Sequence, residues 1–90
     1  MVNVSVADKQ FLDKLNKIVQ EQMVDSQFGV SELAREMGMS RSTLHRKVKE
    51  IAGKHVNNLI SEARLTRAME LLKQSTLTVS EVAYEVGFAS

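Results

Sequence analysis

Apolar residues fall at helical spacing through most of this chain, and the breaks between those stretches carry turn and capping residues. From Asp8 to about Asp25, Phe11, Leu12, Leu15, Ile18, Val19 and Met23 cluster within about 140° of a helical wheel, which predicts an amphipathic helix with a core-facing stripe. Asp8 suits the positive end of its dipole. Ser26–Gly29 breaks the pattern. Val30, Leu33, Ala34 and Met37 then fall at i, i+3, i+4 and i+7, one buried helix face, with Ala34 small enough to admit a neighbouring helix. Gly38 follows the last of them, where a left-handed cap favours glycine. Ser40 is placed to cap a further helix, in which Leu44, Val48 and Ile51 project to one side and Gly53 marks the end. His55–Gln74 reads as a long helix with two apolar faces, Val56, Ile60, Ala63 and Leu71 on one and Leu65, Ala68, Met69 and Leu72 on the other. Such a helix fits between two small subdomains. The opening residues, with Val2, Val4 and Val6 alternating, read as an extended lead-in.

Two short helices joined by a glycine turn make a helix-turn-helix, and the second helix is the candidate major-groove reader. At about 100° per residue, Ser42, Arg46 and Lys49 lie opposite Leu44, Val48 and Ile51, with Arg41 and His45 on the flanks. The unit then recurs. Val79-Ser80-Glu81-Val82-Ala83-Tyr84-Glu85-Val86-Gly87 matches Val30-Ser31-Glu32-Leu33-Ala34-Arg35-Glu36-Met37-Gly38, identical at valine, serine, both glutamates, alanine and glycine. Reuse of one supersecondary unit produces such a pattern. Phe88-Ala89-Ser90 corresponds to Met39-Ser40-Arg41, so a second reading helix should begin where the sequence stops. The predicted organisation is a linker over 1–7, a first helix-turn-helix subdomain over 8–54, a linker helix over 55–75, and an incomplete second subdomain over 76–90. The fold class is all-α and homeodomain-like, with about five helices. Lacking partner helices, Thr76–Ser90 is expected to expose Val79, Val82, Val86 and Phe88, and so to fray or to self-associate through them.

Composition narrows the class. There is no proline among 90 residues, and 43% are apolar, enough for a modest helical core and not for a deep pocket. Cysteine is absent, which excludes disulfides and thiolate metal sites and fits a reducing, cytoplasmic setting. No apolar run is long enough to span a bilayer, so no membrane contact is expected of this segment. The net charge of +1 says little about partners, but its distribution says more. Arg41–Glu50 holds Arg41, Arg46, Lys47 and Lys49 against Glu50 alone. Positive charge is concentrated on the proposed reading helix.

These residues suggest double-stranded DNA as partner. Arg46 points outward and can bond both major-groove acceptors of guanine; the bland alternative is a solvated arginine. Ser42 and His45 suit direct or water-mediated base-edge contact. Arg41 and Lys49 suit phosphates, which contribute affinity without sequence choice. Ser31 and Ser40 lie near helix N-termini, where each caps its helix, donates to phosphate, or does both. Lys47 reads as a solvated edge residue. Arg64 is expected to make a structural ion pair with an acidic residue of a flanking unit. His45 and His55 have no cysteine or acidic pair at ligand spacing, so no metal or cofactor is expected. No nucleophile–base pair, acid pair or phosphate-cradling loop suggests an enzyme. The rival reading is a helical protein-interaction or dimerisation module on the same scaffold, which would need an apolar outer face on the second helix.

The pattern Val30-Ser31-x-Leu33-Ala34-x-x-Met37-Gly38-x-Ser40, followed by Leu44-x-Arg46-x-Val48-Lys49-x-x-x-Gly53, resembles the DNA-binding domain of the AraC/XylS family of bacterial transcription regulators. Ile60-x-x-x-Arg64-Leu65-x-x-Ala68-x-x-Leu71-Leu72 and Val79-x-Glu81-Val82-Ala83-x-x-Val86-Gly87-Phe88 extend the resemblance over roughly residues 8 to 90. It implies two helix-turn-helix subdomains tied by a linker helix, a DNA-contacting position at Arg46, and a bacterial cytoplasmic setting. The lead-in Val6-Ala7-Asp8-Lys9-x-Phe11-Leu12 resembles the junction before such domains in hybrid two-component sensor-regulators, which implies a parent that can be membrane-anchored. The chain departs from the family at Lys54-His55-Val56, where a proline often follows the glycine.

Overall fold

In the computed structural model, which describes residues 5–88, the chain folds into five helices. They are α1 (Val6–Gln22), α2 (Val30–Met37), α3 (Arg41–Ala52), α4 (Val56–Gln74) and α5 (Val79–Glu85). α1 starts two residues before the pattern predicts, because Ser5 caps it: the Asp8 N–H donates to Ser5 Oγ at 3.0 Å. Leu15, Val19 and Met23 of the α1 stripe, Val30, Leu33, Ala34 and Met37 of α2, Leu44 and Val48 of α3, and Val56 and Ile60 of α4 close into one core. α1, α2 and the first half of α4 therefore form the brace behind the candidate reading helix α3. Phe28 belongs to the same core although it lies in the predicted break. It precedes the cap Gly29, and Leu33 is the fourth helical residue after that cap. A hydrophobic staple joins these two positions, and its spacing was visible in the sequence.

The internal repeat is reproduced bond for bond. At the α2 entrance the Gly29 N–H donates to Glu32 Oε1 at 2.9 Å; at the α5 entrance the Thr78 N–H donates to Glu81 Oε1 at 3.2 Å. At the exits, Gly38 N–H reaches Arg35 O at 3.0 Å and Met39 N–H reaches Ala34 O at 3.0 Å, while Gly87 N–H reaches Tyr84 O at 3.2 Å and Phe88 N–H reaches Ala83 O at 2.9 Å. Both exits need a residue at positive φ, and both hold glycine, Gly38 at 72° and Gly87 at 91°. Leu77 takes the staple position that Phe28 takes in the first unit, and it is half-buried.

Two expectations are corrected. Val82 and Val86 are 1% and 0% exposed, packed within the chain where α5 meets α4, and not exposed as expected. Phe88 is half-buried. Of the four residues expected to be exposed, Val79 alone is, at 72%. α4 itself is covered on one face. Val56 and Ile60 are buried and Ala63 and Leu71 half-buried, whereas Leu65, Met69 and Leu72 of the second face are exposed. Ala68 of that face is half-buried, and α4 still touches both units, α1 and α3 on one hand and α5 on the other.

The α5 entrance is pH-sensitive. The Thr78 backbone N–H, and then its hydroxyl, hold the Glu81 carboxyl below the usual glutamate range. A carboxyl whose folded value is depressed contributes stability above its unfolded value, about 4.3, and that contribution is lost as pH falls through the folded value. Amide exchange in α5 should therefore accelerate on acidification below about pH 4.3, ahead of α3, whose cap is a serine, and Glu81→Gln should abolish this acid dependence.

Candidate nucleic-acid interface

The interface is built on α3, and its orientation follows from the residues behind it. Leu44 and Val48 are 0% exposed and pin one side of the helix into the core, while Ile51 and Ala52 are half-buried beside them. Burying an aliphatic side chain of this size contributes about 1.5–3 kcal/mol, far more than any exposed polar contact, so the apolar side fixes which residues face out. Those are Arg41, Ser42, Arg46 and Lys49, all exposed, with Glu50 at the far end. His45 is half-buried at the boundary between the two sides. Among the described residues the ion pairs are Lys9–Asp13, Lys54–Glu62 and Arg67–Glu70, so Arg41, Arg46 and Lys49 are committed to no carboxylate.

Ser40 caps α3: the Thr43 N–H donates to Ser40 Oγ at 3.1 Å, and the Ser40 hydroxyl donates to Thr43 Oγ1 at 2.9 Å. A phosphate contact through that hydroxyl would replace its bond to Thr43. Ser31 does not cap α2, contrary to one of its two expected roles. The cap is Gly29 with Glu32, and Ser31 stands exposed in the first turn. It lies on α2, not on α3.

Two basic residues outside the candidate site have partners other than those expected. Lys47 is half-buried and not a solvated edge residue: its Nζ lies 5.2 Å from the Phe11 ring centroid, which ties α3 to α1. Among the described residues Arg64 makes no ion pair with a carboxylate. It donates instead to backbone carbonyls, Nε to Met23 O at 2.9 Å and Nη2 to Asp25 O at 3.0 Å and Phe28 O at 3.1 Å. Met23 caps the C-terminus of α1, where carbonyls lack partners within the helix and carry the negative end of its dipole, and the Asp25 and Phe28 carbonyls belong to the turn that follows; together they attract a guanidinium as a carboxylate would. That signal was in the sequence only as a predicted helix end, without its spatial neighbour.

No helix among the described residues is long and apolar enough to cross a membrane.

A family model described as a helix-turn-helix domain matches residues 33–90. The chain is 39% identical over 89 residues to histidine kinase P4 of Formosa agariphila, covering 99% of this chain and 6% of that protein. It is 33% identical over 57 residues to the HTH-type transcriptional activator RhaS of Escherichia coli O139:H28, covering 63% of this chain and 20% of that one. It thus spans only a small fraction of the length of these curated relatives. Among solved structures it is similar to the C-terminal domain of the two-component response regulator yesN from Fusobacterium nucleatum, with a TM-score of 0.83 and 27% identity, over 90% of this chain and 84% of that one. The helix order, the glycine turns and the matched span agree: the chain belongs to the AraC-type helix-turn-helix family of DNA-binding transcription regulators.

Proposed function

We propose that the chain binds DNA sequence-specifically, with α3 (Arg41–Ala52) in the major groove. Arg46 bonds a base edge, guanine by chemical preference, with Ser42 and His45 completing base contact directly or through water. Arg41 and Lys49 contact phosphates, and Ser31 and Ser40 add neutral phosphate contacts that fix register. The supporting observation is the outward face of α3: exposed cations with no carboxylate partner among the described residues, on a helix held by two fully buried aliphatics. The same face argues against the rival interaction module, since Arg41, Ser42, Arg46 and Lys49 offer no apolar surface. Similarity to a histidine kinase and to a response-regulator domain supports a place as the DNA-binding output of a two-component regulator, in a parent with sensor or receiver parts.

A salt titration tests this. Each neutralised phosphate lowers log K by about 0.9 per decade of salt, so affinity should fall with salt and Lys49→Ala should reduce the slope by about one unit. An affinity independent of salt, with the slope unmoved by Lys49→Ala, would overturn the reading.

A further inference from the structure

One junction in the molecule is occupied by a single side chain from the middle of α4. α1 ends at Gln22, and the chain turns through Met23–Phe28 before α2; Asp25 organises the turn, accepting from the Gln27 N–H on Oδ1 at 2.9 Å and from the Phe28 N–H on its carbonyl at 3.0 Å. Three carbonyls of that turn, those of Met23, Asp25 and Phe28, accept from the one guanidinium of Arg64. The same guanidinium lies 5.9 Å from the ring centroid of Phe88, the residue that closes the turn of the second unit. Next to Phe88, the Gly87 backbone lies so close to the Met23 carbonyl that a Cβ there would collide with it. The end of α1, the middle of α4 and the exit turn of α5 thus meet at one point. Val82 and Val86 hold α5 near α4, but α5 is only seven residues long, and two aliphatic contacts leave rotation about them open.

We propose that Arg64 is a positioning residue that sets the orientation of the second helix-turn unit relative to the first, so that both present their turns in one fixed frame. Only arginine suits the junction. Its planar fork reaches three divergent carbonyls with its Cζ 5.9 Å from an aromatic ring centroid, whereas a lysine ammonium is a point donor that can satisfy only part of the set. This goes beyond DNA binding and holds whether or not α3 enters a groove.

The test is amide residual dipolar couplings on the whole chain, for wild type, Arg64→Ala and Arg64→Lys. In wild type, couplings from α1–α3 and from α5 should fit a single alignment tensor. In both variants α1–α3 should keep their couplings and fit together, while those of α5 should shrink and require a separate tensor. Lysine should fail to rescue, which a role resting on charge alone would not predict. One tensor for all helices in Arg64→Lys would overturn the proposal. Loss of the folded α1–α3 spectrum in both variants would overturn it as well, since Arg64 would then support the first core and not orient the second unit.

Discussion

Arg46→Ala is expected to weaken binding to a preferred DNA site by about 5- to 150-fold, the equivalent of 1–3 kcal/mol for a bidentate arginine–guanine contact, and to relax base preference at one position of that site. The side chain is exposed and makes no ion pair among the described residues, so its removal should leave the unfolding midpoint nearly unchanged. Binding to unrelated duplexes should fall much less. Arg46→Lys should recover charge and non-specific affinity without recovering base preference, because lysine lacks the fork. Selection of bound duplexes from a random pool, followed by titration of wild type and variants at one salt concentration, measures both quantities. Equal losses on preferred and unrelated duplexes would reassign Arg46 to the phosphates.

Leu44→Ala acts from the opposite side of the same helix. The residue is fully buried, and truncating a core leucine costs about 2–5 kcal/mol through lost burial and the cavity left behind. A small domain has a total stability toward the low end of 5–15 kcal/mol, so most of it should disappear. Urea unfolding should show the midpoint falling sharply or the cooperative transition vanishing. The pair separates two kinds of failure: Arg46→Ala loses binding with the fold intact, whereas Leu44→Ala loses binding because α3 is no longer held. A Leu44→Ala protein as stable as wild type would mean that α3 is not anchored as described.

Much of this was legible in the residues, and the reasons differ by element. The α2–α3 unit announced itself because its constraints are local: apolar spacing, a glycine that must adopt positive φ, and a serine cap all lie within a few positions of each other. The repeat made the second unit legible for the same reason, down to the backbone bonds at both ends. What failed was non-local. The burial of Val82 and Val86 depends on where α5 docks on α4, and periodicity along either helix says nothing about that docking. Arg64 was recognised as structural, but a carboxylate was the expected partner because residue type advertises acids and does not advertise an end-of-helix carbonyl. Lys47 over Phe11 joins residues 36 positions apart through the packing of α1 on α3. For the candidate site, helical phase put Ser42, Arg46 and Lys49 outward, and they are exposed; His45 sits half-buried at the edge, where phase alone is least decisive.

The most direct test of the central claim is an amide and side-chain chemical-shift titration of the chain with a duplex carrying a preferred site. The reading of α3 as the groove-binding helix predicts that the largest changes map to Arg41, Ser42, His45, Arg46 and Lys49, with the Arg46 guanidinium signals moving most and the exposed Leu65, Met69 and Leu72 of α4 silent. Changes concentrated on that apolar α4 face, with the α3 signals unmoved, would contradict it.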